Sequence, residues 1–315
     1  MQQTLPRRVI QATLLADLRP ALEGWADPVA YGVGYDGAVF AAARERSTEA
    51  LYIDGMFPKS RFDRPIDYRV VRSEGGHVRT VTVRDVPLVV SFVQPFPGGV
   101  LLVGARCRWR PEGPEQNAFV VNWNGEVVRR FTIGDGVQDV RVTADGRVWA
   151  SYFDEGVFGN YGWGNPGPPP IGSTGLVEFD GTGAVRFTYD AAEARTDSIC
   201  DAYAINLADD GSIWVYFYTE FPIVRVGAAG YRTWKLGIAG AGALAVRDGQ
   251  ALLFGDRAER SLGRIVALQG EEAKVVGEVL IHGPDGNPLE KAQAYGRGEK
   301  LFLFEDRQAL VSAHW

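Results

Sequence analysis

Six times along the chain a tight polar turn separates two short apolar runs. Tyr35-Asp36-Gly37 is followed by AVFAAAR, Pro97-Gly98-Gly99 by VLLVGAR and Ala144-Asp145-Gly146 by RVWASYF. Asp209-Asp210-Gly211 then leads into SIWVYFY, Arg247-Asp248-Gly249 into QALLFGD, and Arg297-Gly298-Glu299 into KLFLFED. Asp-Gly and Gly-Gly supply the positive φ angles that two-residue hairpins need, so each turn joins antiparallel neighbours. The runs before the turns, such as PVAYGVGY, CDAYAINLA and GAGALAVR, are rich in small residues, as suits innermost strands crowded around an axis. Further strands follow each central one, as in TGLVEF, Gly181-Thr182-Gly183 and AVRFTY.

Four-stranded units repeating at intervals of roughly 40 to 65 residues predict an all-β chain, a β-propeller of six blades. The last unit lacks a fourth strand, because Trp315 follows soon after ALVSA. The N-terminal segment around RVIQATLL is therefore expected to complete blade six and close the ring, which removes exposed sheet edges. A seven-bladed alternative would need a hidden blade in residues 1–25 or 45–66. A possible helical turn near Leu15 to Trp25 is the only competing periodicity.

Composition adds limits. With 315 residues, 46% of them hydrophobic, the chain can bury the core of one large β-architecture, and a single domain over 1–315 is expected. Lys+Arg 33 and Asp+Glu 39 are interspersed and leave a net charge of -6, which excludes the continuous basic footprint of a nucleic-acid binder. The N-terminus has no apolar stretch followed by a small-residue cleavage site, and no run approaches a membrane span, so a cytoplasmic protein with no membrane partner is expected. Cys107 and Cys200, the two cysteines, read as reduced thiols.

The segment VQDVRVTADGRVWASYFDEG followed by GLVEFDGTGAVRFTY places an apolar strand, Asp-Gly, an aromatic strand with an acidic end and a second turn in order; DAYAINLADDGSIWVYFYTE repeats the arrangement. It resembles a blade of the NHL, gluconolactonase and streptogramin lyase group of propellers, most clearly in blades three and four. That resemblance implies fold more than activity. Streptogramin lyases use a metal with a histidine base, whereas His77, His282 and His314 all lie away from the ends of inner or second strands, so those roles are not transferred.

Propeller topology brings inner-strand starts and second-strand ends to one face around the channel mouth. Charge collects there in every blade: Arg44-Glu45-Arg46, Arg106-Cys107-Arg108, Asp154-Glu155, Glu220, Asp256-Arg257 and Glu305-Asp306-Arg307. Asp139 and Asp201 start inner strands, and Tyr203, two positions on, is expected on the same side as Asp201. An insertion in blade three, VFGNYGWGNPGPPPIGS, carries Phe158, Tyr161 and Trp163, and one in blade one carries Met56, Phe57 and Phe62. Long aromatic insertions either stack on ligands or plug the structure they cover.

The expected ligand-binding set is therefore Arg106, Asp139, Tyr152, Asp154, Glu155, Tyr161, Trp163, Asp201, Tyr203, Glu220, Asp256 and Arg307. The functional expectation is a propeller that binds a small molecule or peptide at the channel mouth and requires no cofactor. The alternative is a lyase or hydrolase in which the clustered carboxylates hold Ca²⁺ or Mg²⁺. Against both stands an architectural role, in which the acids form salt bridges between blades.

Overall fold

The structure, a computed structural model, describes residues 5–46, 50–255, 259–312 and 314–315. Its strands build six antiparallel meanders, giving the six-bladed β-propeller fold. From inner to outer strand, blade one runs Pro28–Val33, Val39–Arg44, Arg61–Glu74 and His77–Leu88; blade two runs Phe92–Phe96, Gly99–Val103, Ala118–Asn122 and Val127–Phe131. Blade three comprises Val137–Val142, Val148–Tyr152, Leu176–Phe179 and Val185–Thr188, and blade four Asp201–Leu207, Ile213–Tyr218, Ile223–Gly227 and Gly230–Trp234. Blade five contains Ala243–Arg247, Gln250–Phe254, Leu262–Gln269 and Glu272–His282. Blade six contains Gln293–Arg297, Lys300–Glu305 and Gln308–Ser312, and takes its fourth strand from Thr13–Asp17. Blades one to three form one compact unit, Leu18–Tyr189; blades four to six form another from Asp190–Trp315 and the segment through Asp17.

The N-terminal expectation needs one correction. Thr13–Asp17 pairs antiparallel with Gln308–Ser312 and completes blade six, but Arg7–Gln11 pairs parallel with Glu278 to His282 as a fifth strand of blade five. RVIQATLL is thus divided between two sheets. The stretch from Leu15 to Trp25 contains strand and a single 3-10 turn, Pro20–Leu22, because Pro20 fits a first helical turn and no amphipathic run follows it. Among the described residues no helix is long and apolar enough to cross a membrane.

The continuously apolar second strands follow from burial on both faces. In blade two, Val100 and Leu102 pack into a core with Phe40 and Tyr68 of blade one, while Leu101 and Val103 pack into a second core with Val140 and Phe179 of blade three. Blade five repeats this: Leu252 faces Leu301 and Leu303 of blade six, and Leu253 faces Tyr216 and Ile223 of blade four. A side-chain period of two places alternate residues in separate cores, so neither face tolerates polar alternation.

Innermost strands approach too closely for a side chain at two positions. A Cβ at Gly32 would overlap the carbonyl of Val93, and one at Gly296 would overlap the carbonyl of Leu244. Next to Gly296 lies Asn206, fully buried, whose Nδ2 donates to Leu244 O (2.7 Å) and Gly298 O (2.9 Å) while Oδ1 accepts from Gly298 N (2.9 Å). One inner-strand amide thereby ties blade four to blades five and six.

Candidate functional site

In the unit of blades one to three, the residues beyond the second-strand ends form a closed polar cluster. Arg106, three residues past the end of Gly99–Val103, is only 4% exposed. Its Nη2 lies 2.9 Å from Asp135 Oδ2 and its Nη1 2.5 Å from Glu155 Oε2. The guanidinium also sits 4.0 Å from the centre of the Tyr161 ring and 5.3 Å from that of Phe153. Asp135 Oδ1 accepts from Cys107 N at 2.7 Å. Arg108 lies 5.1 Å from the Tyr161 ring centre, and the Tyr161 hydroxyl donates to Pro58 O at 2.5 Å. The insertions of blades one and three, legible separately in the sequence, are joined through that bond.

Several of the expected ligand residues have partners within the protein. Trp163 is 5% exposed and its Nε1 donates to Cys107 O at 2.7 Å, so the blade-three insertion seals the cluster with this ring. Phe158 is the aromatic that remains outside, at 68% exposure. Tyr152 is fully buried, with its hydroxyl donating to Ile133 O at 2.5 Å, and contributes to the core of blades two and three. Asp154 and Glu155 belong to a short helix, Asp154–Phe158, rather than a strand end, which turns Glu155 back onto Arg106. Asp139 sits just after a register shift in its strand and accepts from Val140 N (2.7 Å) and from the Arg141 guanidinium. Cys107 is buried, its thiol donating to Glu115 O at 3.1 Å, and Cys200 is likewise a free thiol.

Asp135 was not singled out in the sequence. It lies between Gly134 and Gly136, both at positive φ, and this Gly-Asp-Gly turn is the signal that marks it. Burial raises the Asp135 carboxyl from its ordinary 3.8 to about 6, outweighing the opposing pull of Arg106. Since the folded pKa exceeds the unfolded one, the folded state holds the extra proton between about pH 4 and 6. The contribution of this group to stability is greatest below that window and falls as pH rises through it. A carbon-13 titration of the Asp135 carboxyl is expected to show a midpoint near 6; a midpoint below 4 would contradict this burial. Tyr161→Phe retains the ring but removes the bond to Pro58, and is expected to cost about 1 kcal/mol in urea unfolding. An unchanged midpoint would show that this bond does not join the insertions.

In the unit of blades four to six, an open cleft of about 660 Å³ lies at one end of blade four. Glu220 lines it, together with Arg195, Asp197, Lys235, Leu236 and Glu272. Each of these positions has a local reason. Arg195 ends the short helix Ala191–Ala194 in the left-handed region (φ 55), after Asp190 has capped its start through Ala192 N and Glu193 N. Thr233 Oγ1 donates to Ala194 O at 2.7 Å and fastens that helix to the outer strand of blade four. Lys235 bridges to blade five through its backbone alone, donating to Glu271 O (2.9 Å) and accepting from Ala273 N (2.8 Å). Among the described residues, Arg195, Lys235, Glu220 and Glu272 enter no ion pair.

Asp201 and Tyr203 do not line this cleft. A register shift between Ala202 and Ala204 interrupts the alternation that was to place them on one side, and Tyr203 packs edge-on against Tyr216 and Phe221. Arg307 occupies the turn between the second and third strands of blade six at φ 61. Asp256 and its neighbour Arg257 lie outside the described residues. Arg195 and Lys235 were not anticipated, because neither ends a second strand.

A model of the YxzG family matches residues 176–310. No curated protein matches the chain. Among solved structures, the chain is similar to a streptogramin B lyase at 11% identity and a TM-score of 0.47, covering 96% of this chain and 86% of that one. It is similar to YCF48 bound to D1 peptide at 11% identity and a TM-score of 0.44, with 100% and 96% covered. The WD40 β-propeller domain of Doa1 aligns at 12% identity and a TM-score of 0.42, covering 96% and 97%.

Proposed function

We propose that this chain is a binding propeller that holds a small molecule or peptide in the cleft at the end of blade four. The observation that carries this reading is the contrast between the two groups of charges. Asp135 and Glu155 are both paired with Arg106, and Asp139 is taken up by Arg141. In the cleft, Arg195, Lys235, Glu220 and Glu272 line a volume within the usual range of ligand sites, with no ion pair among the described residues. Unpaired charges around a concave site are available to a ligand without first breaking an internal contact.

Two of the rim carboxylates, Asp139 and Glu155, each face a guanidinium that a Ca²⁺ or Mg²⁺ ion would have to displace. This favours binding over metal-assisted chemistry at those acids. Thermal-shift screening against metabolites and short peptides tests the proposal, because a ligand of the native state raises the melting temperature. A stabilising compound is expected to lose its effect with Glu220→Gln combined with Lys235→Met. A hit that stabilises both proteins equally would place the site elsewhere.

A further inference from the structure

The cleft continues along the outside of blade four. A second cleft of about 550 Å³ shares Arg195, Thr233 and Lys235 with the first. Each volume alone suits a metabolite, and their continuity makes a groove longer than a metabolite needs. It follows the outermost strand, Gly230–Trp234, which pairs with Ile223–Gly227 on one side and whose other edge is met by blade five only past its end, at the parallel bridge of Lys235 with Glu272. Extended peptides dock in this way beside open strand edges, with side chains entering pockets at alternate positions.

Charge along the groove has an order. The shared middle carries two cations, Arg195 and Lys235, neither in an ion pair among the described residues. Beyond it, Asp197, Glu220 and Glu272 line one cleft; in the other, Glu193 and Glu271 outnumber the single cation Arg232, whose guanidinium lies 4.8 Å from the centre of the Trp234 ring. A ligand complementary to an acidic-basic-acidic track is basic, acidic and basic in turn.

We infer that the groove holds an extended peptide segment with one acidic side chain flanked by basic ones, its carboxylate seated between Arg195 and Lys235. This rests on the binding-site reading above and adds the class of ligand. In an extended chain, residues two apart share a face, so the probe is the labelled, end-capped peptide Lys-Thr-Glu-Thr-Lys, measured by fluorescence anisotropy at low salt. Its counterparts are the charge-reversed Glu-Thr-Lys-Thr-Glu and the neutral-centred Lys-Thr-Gln-Thr-Lys.

Binding at least about tenfold tighter than either counterpart is expected, since a charge-assisted contact is lost in each. Arg195→Asn with Lys235→Met should remove that preference. Asparagine tolerates the left-handed backbone at 195, and the contacts of Lys235 to blade five are made by its backbone, so this variant is expected to keep its circular dichroism and melting temperature. Equal affinity for the three peptides, or a preference that survives in the folded variant, overturns the inference. So does inorganic phosphate competing at the concentration of the peptide itself, which would mark a simple anion site. If a metabolite stabilises the protein through Glu220 and Lys235 but no peptide binds, the peptide inference fails and the binding-site reading stands; if neither binds, both fail.

Discussion

Arg106→Ala is expected to destabilise the protein by about 3–5 kcal/mol, because it leaves the Asp135 carboxylate buried without its cation. The arginine does three things at one place: it faces Asp135 at 2.9 Å, faces Glu155 at 2.5 Å and supports the Tyr161 ring. Glu155 is partly open to solvent and can rehydrate when the arginine is lost, whereas Asp135 cannot. Combining Arg106→Leu with Asp135→Asn should therefore cost much less than Arg106→Ala. The asparagine still offers an oxygen to Cys107 N, and no charge is left buried. Urea unfolding of the three proteins at pH 7.5 checks this. Equal losses for the single and double variants would mean that Arg106 acts by packing rather than by neutralising Asp135.

A second large effect is expected from an isosteric change at the inner strand of blade four. Asn206→Asp replaces the amide nitrogen that donates to Leu244 O and Gly298 O with a carboxylate oxygen facing those carbonyls, while the other oxygen still accepts from Gly298 N. Repulsion and burial both favour the protonated acid, so the folded pKa of this new carboxyl lies above its unfolded value. The sign follows: the penalty is fully present at neutral pH and shrinks as pH falls through the folded pKa, where the acid regains a donor for one carbonyl. A loss of about 3 kcal/mol or more is expected at pH 7.5, with partial recovery at pH 5. The urea midpoints of both proteins at the two pH values provide the measurement. A loss that does not depend on pH would indicate that the site opens to water. Gly296, whose Cβ would strike the Leu244 carbonyl, leaves the centre little room to open.

The same contrast separates what was legible in the sequence from what was not. The turn-strand units around Asp36, Asp145 and Asp210 gave the blades, because a two-residue turn and a period of two are local properties of the backbone. Glu220 was found for the same reason, as a charged residue two positions after the second strand Ile213–Tyr218. The contacts of Arg106, Glu155, Tyr161 and Trp163 depended on partners distant in sequence. Trp163 is an aromatic in a glycine-rich insertion, and only the approach of Cys107 makes it a plug. Asp139 follows a register shift and Tyr203 sits within one, where the simple alternation used to place them fails.

What the sequence by itself determined is the propeller class and its six repeats, since each is written in patterns spanning a few residues. Only the tertiary structure decided which charges are used up. Arg106 meets Asp135 and Glu155 across two blades, whereas Arg195 and Lys235 are left facing a groove because a backbone bridge at Lys235 sets blade five beside them. Pairing of charges depends on distances between segments far apart in the chain, and no local pattern records those distances.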